Sequence, residues 1–274
     1  MGKQIADLIV SSNAVFTGLS EKPEPAAIAI ANNKIIAVGT KEEISAYAGE
    51  ETKVYSFADQ LIMPGFHDFH LHIMHGAVAM ECVNLFSARS QREALEMIRE
   101  FAQAKPDEPW VIGNVWDAAY WDTQQLPNRY ALDQAVPDRP ALMFHAEGHY
   151  AWVNSKALEL AGIDRDTEDP AFGIIGKDEE GEPNGLLYEK AMGAVVQHAY
   201  HFSREKRREL FRNFLAYAAS LGVTAVHDLF ATESMAILTD YDVFREFEAA
   251  DELTMRIHLW PALDGDLERA KQLR

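Results

Sequence analysis

The chain has 274 residues, 48% of them hydrophobic, enough to bury a sizeable core in one or two globular domains. Its formal net charge of -18 repels nucleic acid and anionic membranes, so neither is expected as a partner. Cys82 is the single cysteine, which excludes an internal disulfide and fits a reducing cytoplasm.

Met1 to Asp7 lacks the apolar centre of a signal peptide, and no later run approaches membrane-spanning length. The expected location is cytoplasmic. Residues 7–60 read as strands: Asp7 to Val10, Ala14 to Phe16, then Ala27 to Ile30 and Lys34 to Val38 flanking Asn32-Asn33. Asparagines tolerate the positive φ of a tight hairpin, so this pair predicts one. A short helix is expected over Lys41 to Ala48 and a further strand over Thr52 to Phe57.

The run Leu61-Ile62-Met63-Pro64-Gly65-Phe66-His67-Asp68-Phe69-His70-Leu71-His72 carries the chemistry. Side chains alternate along a strand, so His70 and His72 are expected on one face, as half of a zinc-type site. Asp68 shares that parity and is expected to hold a histidine ring in its metal-binding tautomer or to neutralise a buried cation. By itself a His-x-His pair is weak evidence, since two histidines also occur in ordinary half-buried strands.

Ser90-Gln91-Arg92-Glu93 predicts a capping box opening a helix that ends near Lys105-Pro106. Residues 106–188, rich in Pro, Gly, Asn and Asp, do not read as barrel repeats; an inserted α+β segment on the substrate side is expected. Asn154-Ser155 is expected to cap the helix holding Lys156 to Leu160. Strand–helix alternation returns at Ser203, with a helix, the strand Val223 to Asp228, a helix over Ser234 to Ala250, and the strand Met255 to Trp260. That is the βα pattern of a parallel barrel. His198 and His201, three apart, are expected on one solvated helix.

Several motifs in order carry a resemblance. Pro64-Gly65-Phe66-x-Asp68-x-His70-x-His72 is similar to the first barrel strand of the amidohydrolase superfamily. Further along stand Trp110 to Asp117, Gly148-His149-Tyr150-Ala151-Trp152-Val153-Asn154-Ser155, Gly185-Leu186-Leu187-Tyr188-Glu189 and Gly222 to Asp228. Together they resemble the YtcJ-like branch, which includes N-substituted formamide deformylases. His67 and Phe69 depart from the family pattern.

The resemblance implies an α/β chain: an incomplete (β/α)8 TIM barrel with an N-terminal β-sandwich segment and the α+β insertion. The expected domains are 1–62 for the sandwich half and 63–274 for the partial barrel. It further implies a divalent metal, zinc foremost, on His70 and His72. The reaction expected is hydrolysis of a C–N bond in an amide, N-formyl or N-acyl compound by metal-activated hydroxide. Trp116, His149 and His227 are the substrate-side candidates, with a core position the alternative for Trp116. The rest of the ligand set and the general base are expected beyond Arg274. The expected partners are a small-molecule substrate and either a second copy or a C-terminal half that completes the barrel. The alternative is a catalytically incomplete remnant acting as a binding or regulatory protein.

Overall fold

The computed structural model describes residues 4–229, 241–260 and 271. The chain divides into two compact units, Met1–Phe66 and His67–Arg274.

In the first unit, β1 (Leu8–Val15), β2 (Glu24–Ala31), β3 (Lys34–Gly39), β4 (Lys53–Ser56) and β5 (Leu61–Ile62) form one sheet. Its order is β3-β2-β1-β4, with β5 also on β1. Asn32 and Asn33 take φ of 50° and 58°, which closes the β2–β3 hairpin through the positive-φ turn their side chains permit. Along β2 the alternate residues Ala27, Ala29 and Ala31 are buried. Their small side chains leave room for helix α1 (Lys41–Ser45), whose Ile44 joins Ala27 and Ala29 in the core. Thr40 and Glu43 close a capping box at its start.

Among the described residues, the second unit holds two sheets. The larger has the order β11-β12-β10-β9-β8-β7, built from β7 (Val83–Asn84), β8 (Val111–Trp116), β9 (Ala141–His145), β10 (Tyr150–Val153), β11 (Gly173–Lys177) and β12 (Pro183–Glu189). Helix α2 (Ile73–Ala79) precedes β7, while α3 (Gln91–Ala104) joins β7 to β8 and α4 (Arg129–Ala135) joins β8 to β9. These three strands are parallel. Here the structure differs from the expected insertion: parallel strand–helix repeats run through residues 83–145, and antiparallel pairing begins only at β10. The Pro- and Asn-rich composition belongs to the connections between these strands.

Helix α3 buries Ala94, Ile98 and Ala102, one every fourth residue. Ser90 accepts from the Glu93 amide at its start, but the Glu93 carboxylate accepts from the Arg89 amide, so the box closes one residue early. Asn154 caps α5 (Ser155–Leu160) by accepting from the Ala157 amide at 3.0 Å.

The smaller sheet has the order β14-β13-β6, from β6 (Phe66–Leu71), β13 (Val223–Leu229) and β14 (Arg256–Trp260). α6 (Gly193–Ala199) ends before His201, so His198 and His201 do not share a helix as expected. α7 (Arg204–Ser220), capped by Ser203, leads into β13. α8 (Tyr241–Ala249) precedes β14; the expected start of that helix at Ser234 lies outside the described residues. β13 and β14 are parallel. Val226 of β13 packs in one apolar core with residues of α2, α7 and α8. Gly76 lets α2 approach α7 closely, because a Cβ there would stand 3.3 Å from the Phe214 ring.

Candidate functional site

His70 and His72 lie at the C-terminal end of β6, where the strand gives way to α2. Their ring centroids are 5.6 Å apart, edge to face, and the His75 ring also lies 5.6 Å from His72. His72 is the residue before the helix and makes no side-chain cap. Instead the end of β13 supplies the partners. Asp228 Oδ1 accepts from the Ile73 amide at 2.8 Å, satisfying an otherwise unpaired donor in the first turn of α2. The Leu229 carbonyl lies 2.9 Å from His72 Nδ1.

That contact fixes the chemistry of His72. A carbonyl only accepts, so Nδ1 carries the hydrogen and the Nε2 lone pair is left free. This is the tautomer that can coordinate a metal through Nε2, set by a partner on the other nitrogen. Of the two parts expected of Asp68, holding a histidine ring is not the one taken among the described residues: its carboxylate accepts from the His70 backbone amide at 3.0 Å. Two residues is too short a span for that side chain to avoid its own backbone, which competes as a donor.

Asp228 is 5% exposed. Burial pushes its carboxyl up to about 6, against the pull of the Ile73 amide and His72. A lone Asp near a strand end carries no signal in the sequence that marks this role; its partner amide lies 155 positions away.

His227 faces a different group. Its ring lies 4.8 Å from His67, 4.8 Å from His258 and 4.5 Å from Phe69. The Trp260 indole donates to His227 Nδ1 at 2.6 Å. Desolvation, then His258 and His67, hold the His227 imidazolium below its ordinary range.

Trp116 and His149 belong to the larger sheet. Trp116 is 0% exposed and donates its indole N–H to the Met143 carbonyl at 2.8 Å. It packs among Trp121, Tyr150 and Trp152, so the expected substrate wall is a core position. The reason is local. Register slips between Gly113 and Trp116, with Val115 at φ 63°, and this irregularity re-aims the strand end. Strict alternation along β8 therefore misplaces Trp116.

His149 is exposed on the β9–β10 loop, its Nδ1 3.0 Å from Glu189 Oε1. Glu189 ends β12 at φ 49°, ψ -124°, a conformation that disfavours a side chain. The neighbouring residues Tyr150 and Tyr188 stack in series with His145, at 4.0 and 5.2 Å. The hydrogen bonds and ring contacts of His149 and Trp116 thus run to the six-stranded sheet and to Trp121. Those of His70, His72 and His227 run within the three-stranded sheet and α2.

A family model described as the amidohydrolase family matches residues 54–274. The chain belongs to that family. It is 30% identical over 251 residues to the putative amidohydrolase YtcJ of Bacillus subtilis (strain 168), covering 89% of this chain and 46% of that protein. It is 28% identical over 256 residues to an N-substituted formamide deformylase of Arthrobacter pascens, covering 91% of this chain and 46% of the deformylase. Protein LONG AFTER FAR-RED 3 of Arabidopsis thaliana is 32% identical over 225 residues, 82% of this chain and 38% of that protein. The chain thus spans less than half the length of these relatives. Its fold is shared with an uncharacterized metal-dependent hydrolase from Pyrococcus horikoshii OT3, at a TM-score of 0.68 and 18% identity. That match covers 97% of this chain and 50% of the archaeal one. Among the described residues no helix is long and apolar enough to cross a membrane.

Proposed function

We propose that this chain is the metal-anchoring portion of a cytoplasmic amidohydrolase that cleaves a C–N bond in an amide, N-formyl or N-acyl compound. The observation that carries the proposal is the Leu229 carbonyl behind His72, which leaves Nε2 of that ring free beside His70. Two imidazoles suit a borderline ion, zinc first. When bound, such an ion lowers the pKa of water from 15.7 to about 7 and polarises a carbonyl oxygen.

The chain's own residues hold that corner in place. β13 positions it twice, through the Leu229 carbonyl on His72 and the Asp228 carboxylate on α2. His149, braced by Glu189, is offered as a hydrogen-bond donor to a substrate carbonyl, and His227 as a lining group. The general base is assigned to polypeptide outside this chain.

The parallel pairs β7–β8–β9 and β13–β14, with helices between, support reading the two sheets as arcs of one (β/α)8 barrel. Exposed apolar side chains support further polypeptide covering both units, a C-terminal half or a second copy. Val54 and Leu61 in the first unit are 62% and 55% exposed; Phe69 and Trp260 in the second are 63% and 49% exposed. Strands of the missing partner would also close the first unit's sheet into a β-sandwich.

A second reading, a binding or regulatory remnant, is favoured by one fact: His70 and His72 are two ligands, and a catalytic zinc needs three from protein. Metal analysis with hydrolysis of N-formyl and N-acyl amides separates the readings. The enzyme reading expects metal-dependent turnover once the complementing half is present, lost in the His70→Ala/His72→Ala variant. Metal-independent turnover, or none with the half supplied, defeats it.

A further inference from the structure

His67, His227 and His258 come from three strands that are neighbours in the order β6, β13, β14. His227 and His258 are register partners in the parallel pair. The three rings close a triangle with centroid separations of 4.8, 4.8 and 5.8 Å. One ligand nitrogen from each lies within 4.8 Å of the others. Tetrahedral zinc with Zn–N near 2.05 Å places its ligands about 3.3 Å apart. The nitrogens must close by at most about 1.5 Å to share one such ion. In this chain by itself His67 and His258 are exposed and His227 half-buried, so an ion and a completing water reach the site from solvent.

We propose that His67, His227 and His258 form a second metal site, selective for the imidazole-seeking ions Zn2+, Ni2+ and Cu2+ over Mg2+ and Ca2+. It is separate from the His70–His72 pair and stands whether or not that pair binds a catalytic ion. Unlike His72, His227 is not preset for coordination. Trp260 donates to its Nδ1, so the lone pair is occupied and the hydrogen sits on Nε2. Coordination through Nδ1 displaces the indole; coordination through Nε2 requires the tautomer that cannot accept from it. Either route breaks the Trp260–His227 hydrogen bond. Metal occupancy and the environment of Trp260 are therefore linked.

The test is titration of the metal-free full chain with Zn2+ or Ni2+, followed by calorimetric stoichiometry and tryptophan emission. The His70→Ala/His72→Ala variant isolates the proposed site. It is expected to keep one bound ion and an emission change that saturates with it. His67→Ala/His258→Ala is expected to abolish that change and remove one ion. Loss of an outer-shell partner costs roughly 10–100-fold in metal affinity, so loss of two ligands costs at least that. Trp260→Phe frees the Nδ1 lone pair and is expected to tighten binding several-fold, with the emission response gone. The proposal is overturned if His70→Ala/His72→Ala removes all bound metal. It is equally overturned if His67→Ala/His258→Ala, confirmed folded by circular dichroism, leaves stoichiometry and emission response unchanged.

Discussion

The carbonyl oxygen of Leu229 lies 2.9 Å from Nδ1 of His72. The contact joins residues 157 positions apart and decides which nitrogen of that ring is available. It predicts a single tautomer. Long-range nitrogen–proton NMR of the metal-free protein should show His72 protonated at Nδ1 and bare at Nε2. A spectrum with the hydrogen on Nε2 contradicts the assigned donor.

Asp228 anchors the same corner through the Ile73 amide. Asp228→Ala leaves that buried donor unpaired and should cost about 1–3 kcal/mol in denaturant unfolding. Asp228→Asn keeps an acceptor oxygen and should cost much less. Equal losses in the two variants would show that the hydrogen bond is not what Asp228 contributes.

Trp116 is fully buried, with its N–H bonded to Met143. Trp116→Ala should therefore destabilise the larger sheet by about 3–5 kcal/mol. A ligand-facing indole would give a far smaller loss, and chemical denaturation distinguishes the two.

Glu189 carries a side chain at φ 49°, ψ -124°, where glycine is at ease. Such strain costs about 1–3 kcal/mol, while glycine loses about 0.5–1 kcal/mol through unfolded-chain entropy. Glu189→Gly should thus stabilise the protein, by roughly 1 kcal/mol, even though it removes the exposed hydrogen bond to His149. Destabilisation on denaturant titration would show that the pair outweighs the strain.

Burial pushes the Cys82 thiol from 9.0 up to about 12. At pH 8 about one folded molecule in ten thousand then carries the thiolate. Ellman's reagent should react slowly with the folded chain and rapidly in denaturant. The sign for stability follows. Above pH 9 the unfolded chain loses this proton first, so the Cys82 contribution to stability falls as pH rises toward 12. Cys82→Ala should flatten that decline.

Much of this was legible locally. Asn32-Asn33 announced the hairpin, Ser90, Asn154 and Ser203 the helix starts, and His70-x-His72 the candidate ligands. Each works through neighbours a few residues away, which a sequence displays directly. The rest depends on distant backbone. Leu229 acts through a carbonyl that every residue has, so nothing in its identity marks it. His67 and His258 meet His227 only through strand order. Trp116 turns inward because of one irregular position at Val115, which defeats a period-two reading. The parallel repeats through residues 83–145 were hidden because the direction in which strands pair is written in neither strand, and β7 has only two residues.

The central claim is that His70 and His72 anchor a catalytic divalent ion. The most direct measurement is hydrolysis of an N-formyl amide by the chain supplemented with a complementing C-terminal half, before and after chelation. The account predicts turnover that chelation removes, added Zn2+ restores, and His70→Ala/His72→Ala lacks. Turnover that survives chelation, or persists in that variant, would contradict it.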